Sequence, residues 1–303
     1  MLFTQREVPI MWLRDWGSVW LGMLMLLVCV TVSGRAVAQS GRKTKERVEA
    51  GVVYSETGGQ KLLLDVYHPA GNGPHPAVLV VHGGAWMSGD RKQLQVWAKE
   101  LCNRGYCAVA IDYRLAPDHK FPAQIDDCRA ALLWMRKHAG ELQIDTAKIG
   151  AIGYSAGGHL VALLGTTGES PTKENGQQDT RLQCIVAGGA PCDFRSMPAQ
   201  AGTLTYWLGG TRAQKPDLYE QASPAAFATK DDAPTFCFNG TKDQLVPVAW
   251  TQPLVDALKE VDVEVILEEV PNADHIKAAW SPQGRRAGYD FFDKHLKPQR
   301  PAN

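Results

Sequence analysis

Two apolar patterns alternate along the chain from about residue 52 to residue 295. Short runs of consecutive apolar residues, such as AVLVV at 77–81, are typical of strands buried on both faces. The strand-like runs are residues 77–81, 107–111, 149–153, 185–187, 235–238 and 263–267, and the helical segments between them are residues 91–103, 124–138, 156–164, 248–260 and 284–295. Because strands alternate with helices, we predict an α/β fold whose mostly parallel sheet carries helices on both faces.

The start of this region predicts a different kind of strand pairing. Residues 52–54 and 62–67 have strand patterns, and the turn-forming residues Thr57, Gly58 and Gly59 lie between them. Two strand patterns joined by a short glycine-containing segment are typical of a β-hairpin. We therefore expect an antiparallel N-terminal hairpin at one edge of the sheet.

Two stretches interrupt the alternation. Residues 166–180 are polar and rich in turn formers, which predicts an exposed loop. Residues 191–232 are long for a connection and contain an apolar Tyr-Trp-Leu patch at 206–208; loops of this length are usually functional, often as lids. No internal repeat and no second core pattern is present. We predict one folded domain over residues 52–297, after a linker at 39–51 and before a tail at 298–303.

The first 38 residues have the layout of a secretory signal peptide. Arg6 and Arg14 precede an apolar run at 19–32, and the small-residue motif AVA stands at 36–38. The alternative is a retained anchor, because the apolar run is nearly long enough to span a bilayer. We expect cleavage after Ala38, and hence a secreted or periplasmic protein with no membrane attachment after cleavage.

Charge and cysteine usage narrow the possible partners. Lys plus Arg and Asp plus Glu are both 32, so the net charge is zero and gives no sign of nucleic-acid binding. We expect any partner to be neutral or small, and the oligomeric state stays open. Export permits disulfides. Without Cys29, six cysteines remain: Cys102, Cys107, Cys128, Cys184, Cys192 and Cys237. Most fall in strand or helix patterns, so we expect them mainly as buried free thiols; no Cys/His spacing predicts a metal or cofactor.

The pentapeptide Gly153-Tyr154-Ser155-Ala156-Gly157 fits the pattern G-x-S-x-G. It follows a strand pattern and opens an apolar helix pattern, which is the setting of a nucleophile elbow. The glycines permit a tight turn that exposes the serine hydroxyl, and the N–H of Ala156 then points to where an oxyanion would form. The alternative is an ordinary glycine-rich turn with an N-capping serine. The context favours Ser155 as a nucleophile.

A serine nucleophile needs a base that a third group orients. In folds with this elbow the three groups follow one another as serine, acid and histidine. His275 lies in a turn after the last strand pattern, whereas His295 lies near lysines at the end of the final helix. His159 lies on the elbow helix itself and cannot turn back towards Ser155. We predict His275 as the base and His295 as a solvated surface residue.

The acid is predicted at Asp243, in the loop that leaves the strand at 235–238. This position puts the carboxylate at the carboxyl edge of the sheet, beside the turn that carries His275. Asp193, after the preceding strand, and Asp274, next to the histidine, are the alternatives. Asp193 comes too early for the usual arrangement, and the side chain of Asp274 points away from its neighbour's ring in most turns.

A loop with the sequence His82-Gly83-Gly84-Ala85-Trp86 directly follows the strand at 77–81. Small residues let the backbone approach a substrate oxygen, and successive N–H groups stabilise its developing charge. The alternative is a glycine-rich strand exit with no role.

This loop resembles the HGGG loop of the hormone-sensitive-lipase-like esterases. DYRLAP at 112–117 and FPA at 121–123 are similar to that family's next segment. Ser223-Pro224 and GTKDQLVP at 240–247 resemble the related secreted carbohydrate-esterase-like branch, which is associated with acetylxylan and feruloyl esterase activities. The resemblance covers about residues 52–295, and it implies an α/β-hydrolase fold that needs no cofactor or metal.

By this resemblance, the backbone N–H groups of Gly84, Ala85 and Ala156 form an oxyanion hole, and Gly83 shapes the loop. Ala85 replaces the third glycine of the motif, which keeps the donor but adds a methyl group near the acyl pocket. Trp86 and Trp207 are expected at that pocket. Three charged residues and one histidine are expected to support the loops without acting as catalysts, namely Asp112, Arg114, Asp126 and His82.

The resemblance implies a secreted serine carboxylesterase for short-chain or aryl acyl esters, including carbohydrate-linked acetyl or feruloyl groups. Two alternatives use the same fold. A peptidase or amidase would use the same three groups, but oligopeptidases of this type carry a large N-terminal propeller for which this chain has no room. A catalytically silent binding protein normally lacks one member of the triad, and this chain keeps all three candidates in order.

Overall fold

The structure is a computed structural model, and it describes residues 46–57, 59–172, 176, 178–197 and 202–298. The expected signal peptide at 1–38, most of the expected linker at 39–51 and the end of the tail lie outside the described residues. Among the helices of the described residues, none is both long and apolar enough to cross a membrane.

Eight strands of the described chain form one sheet with the spatial order β1-β2-β4-β3-β5-β6-β7-β8. They are β1 (Arg47–Thr57), β2 (Gln60–His68), β3 (His75–Val81), β4 (Cys107–Ile111), β5 (Ile144–Tyr154), β6 (Cys184–Gly188), β7 (Thr235–Gly240) and β8 (Val265–Val270). Strands β3 to β8 are parallel, whereas β1 and β2 pair antiparallel with each other and β2 pairs antiparallel with β4. The predicted parallel sheet with a hairpin at its edge is confirmed.

Helices cover both faces of the sheet, as predicted. They are α1 (Gln95–Asn103), α2 (Ala123–Lys137), α3 (Ala139–Leu142), α4 (Ala156–Thr166), α5 (Gly202–Leu208), α6 (Pro216–Gln221), α7 (Val248–Glu260), α8 (His275–Trp280) and α9 (Pro282–Leu296). Alternate residues of β3 face opposite layers: Leu79 packs in the core with α2, α4 and α7, and Val80 packs in the core with α1, α8 and α9. The apolar runs are therefore buried on both sides.

The first strand begins at Arg47, before the predicted start at Val52, so the end of the predicted linker is strand. Most of its residues are exposed, because β1 is an edge strand and only one neighbour covers it. Gly51 adopts φ +74° at a register shift between Glu49 and Val52, and its N–H donates to Asp65 at 2.8 Å. This bulge interrupts the apolar alternation that would have revealed the strand.

The long insertion at 191–232 forms short helices where the sequence predicted a loop. Helices α5 and α6 and a 3-10 turn at Pro224–Ala226 lie within it. The apolar patch divides between two environments: Tyr206 is 49% exposed, whereas Trp207 and Leu208 are buried in the core. The insertion therefore packs against the domain through one face of α5.

The expected support network has a different acidic partner. Arg114 pairs with Asp127 through two guanidinium nitrogens at 2.7 and 2.9 Å, and Asp112 pairs with Arg91 at 2.7 Å. Asp126, which was expected to support the loops, instead forms a partly exposed ion pair with Arg129 at 3.2 Å. Consecutive residues of a helix point about 100° apart, so only one of two neighbouring aspartates on α2 can face Arg114.

The six described cysteines are all buried and unpaired, as expected. Burial raises the pKa of the Cys102 thiol to about 11 and that of Cys107 and Cys237 to about 12. These thiols therefore act as small apolar side chains of the core.

Candidate active site

Ser155 occupies a strained turn between β5 and α4. Strand β5 ends at Tyr154, α4 begins at Ala156, and Ser155 adopts φ 57° and ψ −123°. Its N–H donates to the Gly188 carbonyl at 2.8 Å, and its carbonyl accepts from the His159 N–H at 2.9 Å. The serine side chain makes no capping hydrogen bond to the helix. The turn therefore has the geometry of an elbow and not that of an N-capped helix start.

The glycines around Ser155 allow three backbone segments to meet. A Cβ atom at Gly157 would overlap the carbonyl oxygens of Val81 and His82, and one at Gly153 would overlap the Gly157 carbonyl. The start of α4 thus lies directly against the end of β3. This close approach brings the loop after β3 next to the serine.

His275 and Asp243 form a buried hydrogen-bonded pair, and His275 lines the same cavity as Ser155. His275 Nδ1 donates to Asp243 Oδ2 at 2.6 Å, because an ionised carboxylate only accepts. The other carboxylate oxygen accepts from the N–H groups of Leu245 at 2.9 Å and Val246 at 2.8 Å. The Asp243 side chain is completely buried. Its orientation is therefore fixed by three hydrogen bonds.

Tyr154, which precedes the serine, also fixes the position of His275. Its hydroxyl donates to the His275 carbonyl at 2.6 Å, and the two rings lie 5.0 Å apart. Burial is the main reason that the pKa of Tyr154 lies above its usual value, so the hydroxyl stays a donor. Strand β5 thereby links the elbow to the histidine on α8.

The alternative acids and base lie elsewhere. Asp193 forms an ion pair with Arg195 at 2.8 Å, and Asp274 caps α8 by accepting from the Lys277 N–H at 2.8 Å. His295 is half-buried against Phe291, with ring centres 4.4 Å apart, so the expectation of a solvated residue is wrong. Helix α9 covers the sheet with apolar residues, and this packing includes the histidine ring.

The loop after β3 passes directly beside the elbow. A Cβ atom at Gly83 would lie 2.9 Å from the Tyr154 carbonyl oxygen and 3.3 Å from Ser155 Cβ. Gly84, Ala85 and Trp86 follow with φ values of 111°, 54° and 61°, all in the left-handed region. Such a run of unusual φ values turns successive N–H groups to one side and forms an anion-binding concavity.

Three N–H groups near Ser155 have no acceptor within the described part of the chain, namely those of Gly84, Ala85 and Ala156. The Gly84 carbonyl is turned into its own loop, where it accepts from Met87 and Ser88, each at 3.0 Å. Preceding this loop, His82 is buried, stacks on Tyr113 at 4.1 Å and hydrogen-bonds the Gly83 carbonyl at 2.7 Å. We call the three donors the free N–H groups.

Trp86 forms one wall of the site, and Trp207 lies behind it. The Trp86 indole N–H donates to His159 Nδ1 at 3.2 Å, and its ring stacks on Trp207 at 4.0 Å. His159 Nε2 in turn donates to the Ala222 carbonyl at 2.7 Å, and burial lowers the pKa of His159 to about 4. Trp207, expected at the pocket, does not line it, because its indole is fully buried and donates to Gln124 at 2.9 Å.

Two cavities meet at Ser155 and His275. The inner cavity, of about 430 Å³, is lined by Trp86, Ala156, Phe194, Met197, Leu204 and Trp250, among others. The outer cavity, of about 420 Å³, is lined by Gln93, Leu94, Ile276, Ala279 and Trp280, among others. The sequence identified the insertion at 191–232 as a candidate lid, but it did not single out Phe194 or Leu204 as lining residues. In the sequence, the only indication for either residue was that it is apolar within a mostly polar stretch.

The sheet order, together with a serine elbow between its central strand and a buried helix, defines an α/β-hydrolase fold. Within this class the chain belongs to the BD-FAE family, whose sequence profile matches residues 64–258. The predicted resemblance to this esterase branch is therefore confirmed.

Named relatives and solved structures agree with this assignment. Esterase LipC of Mycobacterium tuberculosis is 31% identical over 238 residues, which are 74% of this chain and 58% of that protein. Probable carboxylic ester hydrolase LipM of the same organism is 32% identical over 213 residues, which are 67% and 49% of the two chains. The chain thus spans about half the length of these curated relatives.

Two solved structures share the fold over most of this chain. A truncated carbohydrate esterase from gut microbiota superposes with a TM-score of 0.75 at 24% identity, covering 83% of this chain and 97% of that one. The thermophilic esterase Est2 of Thermogutta terrifontis superposes with a TM-score of 0.70 at 26% identity, covering 83% and 94%.

Proposed function

We propose that this chain is a serine carboxylesterase in which Ser155 is the nucleophile, His275 the base and Asp243 the group that orients the base. The observation that carries the proposal is the 2.6 Å hydrogen bond between His275 and Asp243 at a cavity that Ser155 also lines. The free N–H groups beside that serine and the esterase names of the relatives support it.

The proposed chemistry is acyl transfer through a covalent intermediate. Since His275 Nδ1 donates to Asp243, the proposed mechanism uses Nε2 as the acceptor of the serine proton. Ser155 Oγ bonds to the carbonyl carbon while its proton passes to Nε2, and the carbonyl oxygen takes up negative charge. The carbon–oxygen bond to the alcohol then breaks, and the leaving oxygen takes the proton from His275. Water repeats both steps on the acyl-enzyme and releases the acid.

The free N–H groups are the proposed oxyanion donors. They are backbone groups in a loop with fixed dihedral angles, so they need no rearrangement as the negative charge develops. The loss of one such donor costs on the order of 10²–10³ in turnover in enzymes of this kind. Ala85 lines both cavities, and within the described residues its N–H has no protein acceptor.

The proposed substrates are short-chain or aryl acyl esters, including acetyl or feruloyl groups linked to carbohydrate. The inner cavity supports this range, because about 430 Å³ with apolar walls accommodates an acetyl or an aryl group. Nitrophenyl esters from acetyl to octanoyl, acetylated xylan and methyl ferulate would define the acyl preference. A nitroanilide with the best acyl group serves as the amide control; turnover of this anilide at the ester's rate would argue for an amidase.

Covalent labelling tests the nucleophile directly. The protein is incubated with a fluorophosphonate probe and its intact mass is measured, with the Ser155→Ala variant as the matched control. We expect one adduct on the parent protein and none on the variant. A folded parent protein that stays unmodified while a control hydrolase reacts would exclude the proposed enzyme.

We further propose that residues 1–38 direct export and are then removed. The support is the AVA motif at 36–38 behind an apolar run. Expression of the full chain in a bacterial host, followed by N-terminal sequencing of the periplasmic or secreted fraction, should give Gln39 as the first residue. Recovery of the uncut chain in the membrane fraction would indicate a retained anchor instead.

A further inference from the structure

Helix α8 presents two large apolar side chains outside the core. His275, Ala278 and Ala279 on its inner face are buried, whereas Ile276 and Trp280 are 62% and 45% exposed. Residues four apart lie on the same face of a helix, so these two side chains form one surface. Leu245, which is 66% exposed, lines the same outer cavity as both of them. Exposed large apolar residues thus gather at the mouth of the site.

The two cavities at Ser155 differ in their walls. The inner cavity is lined in part by the buried side chains of Trp86, Phe194 and Leu204, which limit the size of a group bound against them. It is also lined by the exposed residues Thr203 and Leu245, the second of which it shares with the outer cavity. The walls of the outer cavity include exposed residues, Gln93 and Trp280 among them. A group bound there can continue into the solvent, as a unit of a larger molecule must.

Trp280 is held in place although its ring is exposed. Its carbonyl accepts from Arg285 at 2.6 Å, and the Arg285 guanidinium is itself bound to Glu100 by two hydrogen bonds of 3.1 Å. Ala278 and Ala279, the residues before it, are buried in the core. The backbone that carries the indole is therefore fixed, so binding would not have to order this end of the helix.

The outer cavity also offers unused hydrogen-bonding groups. Within the described residues, neither the side-chain amide of Gln93 nor the indole N–H of Trp280 has a protein partner. An aromatic face attracts the weakly positive C–H groups of a saturated ring, and amide groups hydrogen-bond hydroxyls. A sugar ring has an apolar C–H face and a rim of hydroxyls. The outer cavity offers an indole face and aliphatic side chains for the first and an amide for the second, so it matches such a ring.

We infer that the outer cavity binds the alcohol part of the substrate, and that this alcohol is a sugar ring stacked on Trp280. The inference rests on the proposed function. His275 delivers a proton to the leaving oxygen in that mechanism, and α8, which begins at His275, forms a wall of the outer cavity. The group attached to the leaving oxygen therefore extends along α8 towards Trp280, and the acyl group occupies the inner cavity.

The test keeps the acyl group constant and changes the alcohol. Steady-state kinetics are measured with ethyl acetate, phenyl acetate and mono-acetylated methyl xyloside for the parent protein, Trp280→Ala and Trp280→Phe. We expect Trp280→Ala to raise KM for the acetylated xyloside about tenfold, which corresponds to about 1.4 kcal/mol, the order of magnitude for one stacked ring. KM for ethyl acetate should change less than about twofold, and Trp280→Phe should restore most of the loss because it keeps a ring.

Tyr206→Ala is the matched control, because Tyr206 is an equally exposed aromatic residue, 49% accessible, that lines neither cavity. It should leave all three substrates unchanged. Equal effects of Trp280→Ala on all substrates, an effect on phenyl acetate alone, or none at all would each overturn the inference. Parent protein that hydrolyses ethyl acetate but not the xyloside would also overturn it while leaving the esterase intact. Failure of every ester would refute the proposed function instead.

Discussion

At the scale of single residues, backbone strain is concentrated around the proposed nucleophile. Ser155, Ala85 and Trp86 adopt left-handed φ values although none of them is glycine. Such residues cost of order 1–3 kcal/mol each and persist only where the surroundings hold them. Here the Gly188 carbonyl accepts from Ser155 N–H, and the Trp86 carbonyl accepts from Ala116 N–H at 2.9 Å. The strained residues therefore fix the positions of the proposed nucleophile and of the proposed oxyanion donors before any substrate binds.

Asp243→Asn tests the assignment of the acid. An amide in this place can present its N–H₂ to His275 and stabilise the wrong tautomer, so we expect kcat to fall by about 10⁴, the loss known for the equivalent change in a serine protease. Asp193→Asn is the matched control and should stay within about twofold of the parent. A large loss in the Asp193 variant with little change in the Asp243 variant would reverse the assignment.

His159 is predicted to make stability depend on pH. Its pKa is lowered to about 4 by burial, below the usual value of 6.5. Between these values the unfolded chain binds a proton that the folded protein does not, so stability falls as pH falls from about 6.5 to about 4, by up to about 1.4 kcal/mol per pH unit. In urea unfolding at several pH values, His159→Leu should show a flatter pH dependence than the parent.

The same variant should be less stable at pH 7. Leucine leaves the Trp86 indole N–H and the Ala222 carbonyl without their partners, each in a buried place. Unpaired buried polar groups cost about 1–3 kcal/mol, so the free energy of unfolding should fall by that order. Parallel pH curves for parent and variant would contradict the titration, even if the loss at pH 7 were found.

At the scale of elements, local apolar patterns predicted the sheet well and its periphery poorly. Every predicted strand after the hairpin exists, since a run such as 107–111 is buried on both faces and is apolar throughout. The apolar pattern did not predict the start of β1, because this edge strand has a bulge at Gly51 and mostly exposed residues. Helices α5 and α6 have seven and six residues, too few turns to show a helical period.

The candidate site was likewise predictable only in part. Ser155, Asp243 and His275 each follow a recognisable strand, and parallel strands end at one edge of a sheet, so their meeting could be predicted. The choice between two tryptophans could not, because whether Trp86 or Trp207 faces the cavity depends on how α5 packs. Asp126 and Asp127 present the same difficulty, since the rotation of α2 about its axis decides which one meets Arg114.

Gly157→Ala tests the contact between the start of α4 and the end of β3. The added methyl group would overlap two backbone oxygens, and overpacking of this kind costs about 1–3 kcal/mol or more. We expect a lower melting temperature and a loss of the proposed esterase activity. The control is Gly140→Ala in α3, where no atom lies within 4 Å of the new Cβ and helix propensity favours alanine. Equal stability of the two variants would argue against the packing at Gly157.

At the scale of the whole molecule, the described cysteines lie in the core as free thiols and form no disulfides. The described cysteines are buried, and their raised pKa values disfavour the reactive thiolate. We predict that a thiol reagent at pH 8 leaves these residues unmodified in the native protein and modifies all six in urea, as measured by peptide mass. A reductant should leave the melting temperature unchanged; a clear decrease would reveal a disulfide.

The order of the strands in the sheet also determines when activity can return during refolding. The groups around Ser155 come from loops after β3, β5, β7 and β8, which are far apart along the chain but adjacent in the sheet. Contacts of large sequence separation form late, because the entropy of closing long loops must be overcome first. A refolding chain should therefore regain helical signal early and the proposed ester turnover last, when the loops after β3 and β8, which are far apart along the chain, have both reached Ser155. The rate at which turnover returns thus reports completion of the entire sheet.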